Sequence, residues 1–146
     1  MNVFAQNYRD AASDRLADAY VLYREGRYVM SLYNSGLAVE CIFRAHRVRV
    51  DPIFDARHDL IELYRVSRLK QTLEASQEAQ LAAALSQLTP LWRNHHRFDA
   101  PPALIRFLKR GRHDRGIRGD VLKEASRRAY NASETIVGLA VFQWKN

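Results

Sequence analysis

The chain is short of the residues that mark several protein classes. A single cysteine, Cys41, among 146 residues excludes an internal disulfide. Cys41 falls in an apolar helical stretch, so it reads as a small buried hydrophobe rather than a reactive thiol. Prolines number four and glycines six, too few for a fibrous or linker-like chain. No window is apolar for long enough to span a membrane. The N-terminal MNVFAQNYRDAASDR lacks a basic start followed by an apolar stretch, and with the lone cysteine this gives the expectation of a reducing cytoplasm. Alternation of apolar and polar residues is scarce, so strands are not expected. No cysteine or histidine spacing matches a zinc site, and His95 and His96, being adjacent, would point different ways on a helix. Neither a metal nor a cofactor is therefore expected. No glycine-rich phosphate loop or nucleophile elbow is present.

What is present is apolar content of 47%, fifteen aromatic side chains and helical spacing throughout. A chain of this length can bury one core, and residues 1–146 read as a single domain. Ala12, Leu16, Ala19 and Tyr23 make one stripe of a helix from about Tyr8 to Arg24, closed by Glu25-Gly26. Leu32, Gly36, Val39 and Phe43 make a stripe of a second helix, Tyr28 to about Arg47. Ala38, Ile42 and Ala45 add another face to it, which makes this helix central. Gly36 costs that helix roughly 1 kcal/mol against alanine, so close approach of another helix is expected there. The Gly26 link makes the pair an antiparallel hairpin. Asp51-Pro52 breaks the chain, and Asp55 offers an N-cap for a helix over about Ala56 to Ser67. A fourth helix spans about Leu73 to Leu88. Leu81, Leu85, Leu88 and Trp92 share a face, so its path extends towards Arg97 unless Thr89-Pro90 starts a new turn. The last helix runs from Asp120 to about Phe142. The expected architecture is all-α, an up-and-down bundle of four to five helices.

Charge is concentrated rather than spread. The net charge is +7, and residues 100–119 hold six bases against one acid, Asp114. Pro101-Pro102, Gly111, Gly116 and Gly119 interrupt that stretch, so residues 99–119 read as a basic surface loop with a short helix over about Ala103 to Lys109. Arg106, Lys109, Arg110, Arg112 and Arg115 are candidates for holding a polyanion such as RNA. Arg93, His95, His96 and Arg97 form the densest polar cluster. On a helix, Arg93, His96 and Arg97 would share one side, as a phosphate clamp with a proton-transfer histidine or as an exposed basic helix end. Glu40 on the central helix reads as a buried anchor paired with Arg44, and His58-Asp59 as the start of the third helix.

Gly26-Arg27-Tyr28, Tyr33, Ser35-Gly36-Leu37-Ala38-Val39-Glu40-Cys41 and Arg44-Ala45 together resemble the second helix of HEPN domains. His58-Asp59-Leu60, Leu91-Trp92, Arg97-Phe98 and the helix from Asp120 fit the same pattern. The resemblance is good over about residues 8–69 and looser beyond. It implies a helical bundle, often a homodimer, and in many members a metal-independent endoribonuclease of toxin–antitoxin or other prokaryotic defence systems. Some members pair with a nucleotidyltransferase, and others bind RNA, nucleotides or proteins without catalysis. The family's signature is an arginine, often followed by a polar residue, with four to six residues between it and a histidine. Here Arg93-Asn94 opens such a signature, the fifth residue after Arg93 is Phe98, and the literal match is Arg106 to His113. The resemblance thus implies Arg93 as phosphate holder and His96 or His113 as proton carrier, with Arg97 and the bases of residues 106–115 binding RNA. The alternative is a non-catalytic scaffold that binds a protein partner such as a nucleotidyltransferase.

Overall fold

The computed structural model describes residues 3–50 and 58–144. Among them lie six helices and no strands: α1 (Val3–Arg24), α2 (Tyr28–Val50), α3 (Leu60–Ser67), α4 (Ala75–Leu88), α5 (Pro101–Arg110) and α6 (Val121–Trp144). Single 3-10 turns follow α3, at Leu69–Gln71, and precede α5, at Asn94–Phe98. The four long helices α1, α2, α4 and α6 form the expected bundle, and α3 and α5 cap it.

The turn between α1 and α2 follows from one glycine. Gly26 sits at φ +76°, and the Gly26 and Arg27 N–H groups donate back to the carbonyls of Tyr23 and Leu22 at 3.0 and 2.8 Å. That pairing closes the open end of α1 and reverses the chain. The Ser31 hydroxyl then ties the hairpin together, donating to the Ala19 carbonyl at 2.7 Å. α2 is central, packing against α1, α3, α6 and the 3-10 helix of residues 94–98. Leu32, Ala38, Val39, Ile42, Phe43 and Ala45 have no exposed surface. α6 runs antiparallel to α1, with Tyr20 against Tyr130 at one end and Arg9 over Trp144 at the other. Asp120 caps α6 by accepting the Lys123 N–H at 3.1 Å, as its position before the apolar run suggests. Cys41 is buried, and burial pushes its thiol up to about 11, which keeps it protonated.

Three buried polar links fasten neighbours to α2. His46 donates from Nε2 to the Ala140 carbonyl of α6 at 2.8 Å. Glu40, 5% exposed, accepts from His58 Nδ1 at 2.7 Å, and Arg44 Nε lies 3.4 Å from its other oxygen. Glu40 is thus the anchor expected of it, with His58 as well as Arg44 for partners. Asp59 caps α3, accepting the Glu62 N–H at 3.1 Å, so α3 begins at Leu60 rather than Ala56. The N-cap expected at Asp55 lies outside the described residues.

The third link corrects an expectation about Gly36. What comes nearest to Gly36 is a side chain and not a helix backbone. The Trp92 indole lies flat over the glycine, and a methyl group at position 36 would overlap its five-membered ring. The indole N–H donates to the Tyr33 carbonyl at 2.9 Å. Consistent with this, α4 does not continue to Arg97. It stops at Leu88, the chain turns through Thr89–Leu91, and Arg93 is fully extended at φ −146°, ψ 154°. In the basic segment the helix expected over about Ala103 to Lys109 is present as α5, longer at its start by Pro101-Pro102 and at its end by Arg110, with Leu104 and Leu108 buried.

Gly36→Ala should therefore lower stability by about 1–3 kcal/mol by overpacking, even though alanine is the better helix former. Equilibrium denaturation measures this, and an unchanged or raised midpoint would show that the indole does not occupy that seat.

Candidate nucleic-acid interface

Seating Trp92 on α2 fixes the path of the chain beyond it. Asn94 comes within 3.5 Å of the Tyr33 hydroxyl, which donates to its side-chain oxygen. Burial raises the Tyr33 phenol above its ordinary pKa, and the Arg97 guanidinium beside it works the other way. The 3-10 helix is thereby held on α2 by residues 92, 94 and 97. Its outer surface carries Arg93 and Arg97, both exposed, with His95 and Phe98. Phe98 is 69% exposed, unusual for a ring that size, and Arg97 stacks over it at 4.6 Å. Arg93 lies over the Phe107 ring of α5 at 4.5 Å. Exposed rings interleaved with arginines are what single-stranded nucleic acid uses for stacking and phosphate contact.

His96 does not join that surface. It has no exposed area, packs edge-on to Phe107 at 4.7 Å, and accepts the Arg93 backbone N–H on Nδ1 at 3.3 Å. Its Nε2 is enclosed without a partner. Burial, aided by the Arg93 charge, lowers its pKa to about 4, so the ring is neutral. The expected face shared by Arg93, His96 and Arg97 is not formed: Arg93 is extended and stands outside the 3-10 helix, and within that helix His96 and Arg97 lie about 120° apart, with His96 turned inward. A proton carrier must reach its substrate, and His96 in this position cannot.

His113 lies elsewhere. Its N–H donates to the Leu108 carbonyl at 2.8 Å, which folds the end of α5 back, and its imidazole covers Gly111. The half-buried ring lines a groove of about 520 Å³ with Ser86 and Gln87 of α4 and Arg127, Arg128 and Asn131 of α6. Arg127 and Arg128 both bind Glu124, at 2.6 and 3.0 Å, and their hydrogen bonds pull its carboxyl down to about 2. Two arginines against one carboxylate leave the groove a net cation. Sequence reasoning missed this pair; the signal was the Arg127-Arg128 doublet three and four residues after Glu124.

Between the two lies α5. Its solvent face carries Arg106, Lys109 and Arg110, and the turn beyond carries Arg112 and Arg115, all exposed. None of these five forms an ion pair among the described residues. Several cations elsewhere do have an acidic helical neighbour, as in Arg15–Asp18 and Arg65–Glu62. An unpaired run of this kind is an electrostatic footprint for a polyanion.

Two buried neutral histidines give the fold a pH dependence. Burial lowers the pKa of His46, as of His96, to about 4. Their folded values lie below the unfolded value of about 6.5, so the unfolded chain binds more protons between these limits. Stability should fall as pH drops from 6.5 to 4, by about 2–3 kcal/mol for each ring. His96→Asn, whose side-chain oxygen can accept the Arg93 N–H, should make that decline shallower. A melting-temperature series over this range decides it, and an equally steep decline in the variant would show His96 titrating freely.

A family model, HEPN domain, matches residues 5–139. No curated protein and no solved structure matches the chain.

Proposed function

The chain belongs to the HEPN family, and from that premise we propose that it binds RNA across the basic surface running from the 3-10 helix along α5 to the groove at His113. The observation that supports this reading best is the unpaired row Arg106, Lys109, Arg110, Arg112 and Arg115, flanked by Arg93, Arg97 and the exposed Phe98 ring. Protein cations that meet phosphates release condensed counterions, so binding is expected to weaken steeply with salt. RNA is favoured over duplex DNA because Phe98 and His95 suit unstacked bases. Among the described residues no helix is long and apolar enough to cross a membrane.

In this reading the working unit is a homodimer, in a prokaryotic toxin–antitoxin or defence setting. If cleavage accompanies binding, it is metal-independent: the ribose 2′-hydroxyl attacks the adjacent phosphate, the bond to the 5′-oxygen breaks to leave a 2′,3′-cyclic phosphate and a 5′-hydroxyl, and the two copies of the dimer bring together Arg93, which holds the phosphate, and His113, which moves the proton. His113 takes that role because it lines an open groove whereas His96 is enclosed. A second reading has a specific observation in its favour. The enclosure of His96 beside Arg93 leaves the local arginine–histidine pair without an accessible ring, which suits a non-catalytic scaffold that binds RNA or a partner such as a nucleotidyltransferase.

Fluorescence anisotropy with a labelled single-stranded RNA tests the binding. The triple variant Arg106→Ala, Lys109→Ala, Arg110→Ala should bind at least about tenfold more weakly. It should also reduce the slope of log K against log salt by about 2, at roughly 0.7 per lost phosphate contact. Equal affinity and slope in the variant would remove α5 from the interface. Incubating the RNA in chelator with the wild type and with His113→Ala separates the two readings. Cleavage abolished by the substitution favours the nuclease, and no cleavage by either favours the scaffold.

A further inference from the structure

Arg127 and Arg128 line two cavities. One is the groove at His113. The other, of about 500 Å³, lies between the last turn of α1 and the first turns of α6, outside the proposed RNA surface. Its charged lining is Arg118, Asp120, Lys123, Glu124, Arg127 and Arg128, four cations against two acids. Both acids are engaged. Asp120 accepts the Lys123 N–H at 3.1 Å, so the start of α6 is already capped and the helix end is not what the cavity offers. Glu124 holds the two arginines. Arg118 and Lys123 are exposed and form no ion pair among the described residues.

The clamp on the arginines fixes which of their N–H groups are left. Glu124 accepts from Arg127 Nε and Nη2 at 2.9 and 2.6 Å, and from Arg128 Nε at 3.0 Å. Each guanidinium thus keeps its outer edge, Nη1 with the second N–H of Nη2, without a partner among the described residues. That edge presents two parallel donors and can grip two oxygens at once. The two side chains are 49% and 45% exposed, so half of each is open to a ligand while the other half is held in place.

We propose that this cavity holds the terminal phosphate of the bound RNA, a phosphate monoester at one end of the strand. The inference rests on the RNA-binding reading and adds end recognition to it. Charge and donor count select the monoester over an internal phosphate. An internal diester carries one negative charge and two free oxygens. A monoester near neutral pH carries close to two charges on three oxygens. Along α5 the cations are spread over an outward helix face, which suits a chain of single charges. Here the excess of two cations surrounds one concave site, and two guanidinium edges with the Lys123 ammonium supply donors for three oxygens. The basic row also leads to it: Arg112 and Arg115 lie in the turn after α5, and Arg118 continues that turn into the cavity. Attack by the 2′-hydroxyl leaves a cyclic phosphate and a 5′-hydroxyl, neither of them a monoester, so the end held is one the strand arrived with.

The test uses the whole chain at about pH 7.5, where the monoester is mostly a dianion. One internally labelled single-stranded RNA is offered in three forms: with a 5′-phosphate, with a 3′-phosphate, and with hydroxyls at both ends. One phosphorylated form is expected to bind about tenfold more tightly than the hydroxyl form, and which one it is names the end that is read. The double variant Arg118→Gln, Lys123→Gln should bring that ratio close to one. It should leave binding of the hydroxyl form within about threefold of the wild type at physiological salt, where distant exposed charges are screened. The α5 triple variant should do the reverse, weakening all three forms and keeping the ratio. Equal binding of the three forms by the wild type would overturn the end site while leaving the RNA-binding reading intact. So would a ratio that survives the double variant. Failure to bind any form would overturn the RNA-binding reading and the end site with it.

Discussion

The seat of Trp92 on Gly36 is the contact from which the rest of the surface takes its position. A glycine in the middle of a central helix is a local weakness that the fold converts into a socket. The indole enters because no side chain stands there, and its N–H finds the Tyr33 carbonyl. With residue 92 fixed on α2, the chain cannot continue α4, and after the extended Arg93 residues 94–98 wind as a 3-10 helix on the same face. That path turns His96 in and turns Arg93 and Arg97 out. The candidate interface is therefore built on the rigid core of the molecule.

Charge is arranged with the same division between scaffold and surface. Along α1, α3 and α6 several cations have an acid three or four residues away to pair with, which offsets the local charge. Along α5 the cations stand alone, which does nothing for stability and repels one from the next. Such an arrangement is useful only when an outside anion completes it. The burial of Leu104 and Leu108 holds the helix in place so that its basic face stays turned to solvent.

Much of the scaffold was legible in the sequence because helical spacing and end signals agree. Gly26 after a periodic run and Asp120 before one both mark ends that the backbone confirms. The breadth of the apolar surface on Tyr28–Val50 marked the central helix, and Glu40 marked a buried anchor. The site was less legible, for identifiable reasons. Leu81, Leu85, Leu88 and Trp92 keep helical spacing, so nothing local shows that the chain leaves the helix before Trp92; the departure is imposed by the distant Gly36. His95 and His96 are identical neighbours in sequence, and only the tertiary path decides which is buried. In residues 99–119 the helix over about Ala103 to Lys109 was legible but its start was not, because Pro101-Pro102 read as a break although they serve as the first turn of α5, where prolines are tolerated. The groove at His113 joins residues about forty apart along the chain, which no local pattern links.

The central claim is that one face of this HEPN domain, from the 3-10 helix through α5 to the turn after it, is where RNA lies. Ultraviolet crosslinking of a single-stranded RNA to the intact chain, followed by mass spectrometry of the peptides, tests it most directly. The account predicts crosslinks concentrated in residues 93–119, with Phe98 and His95 foremost. Crosslinks confined to α1, or to the solvent face of α4 away from the groove, would contradict it.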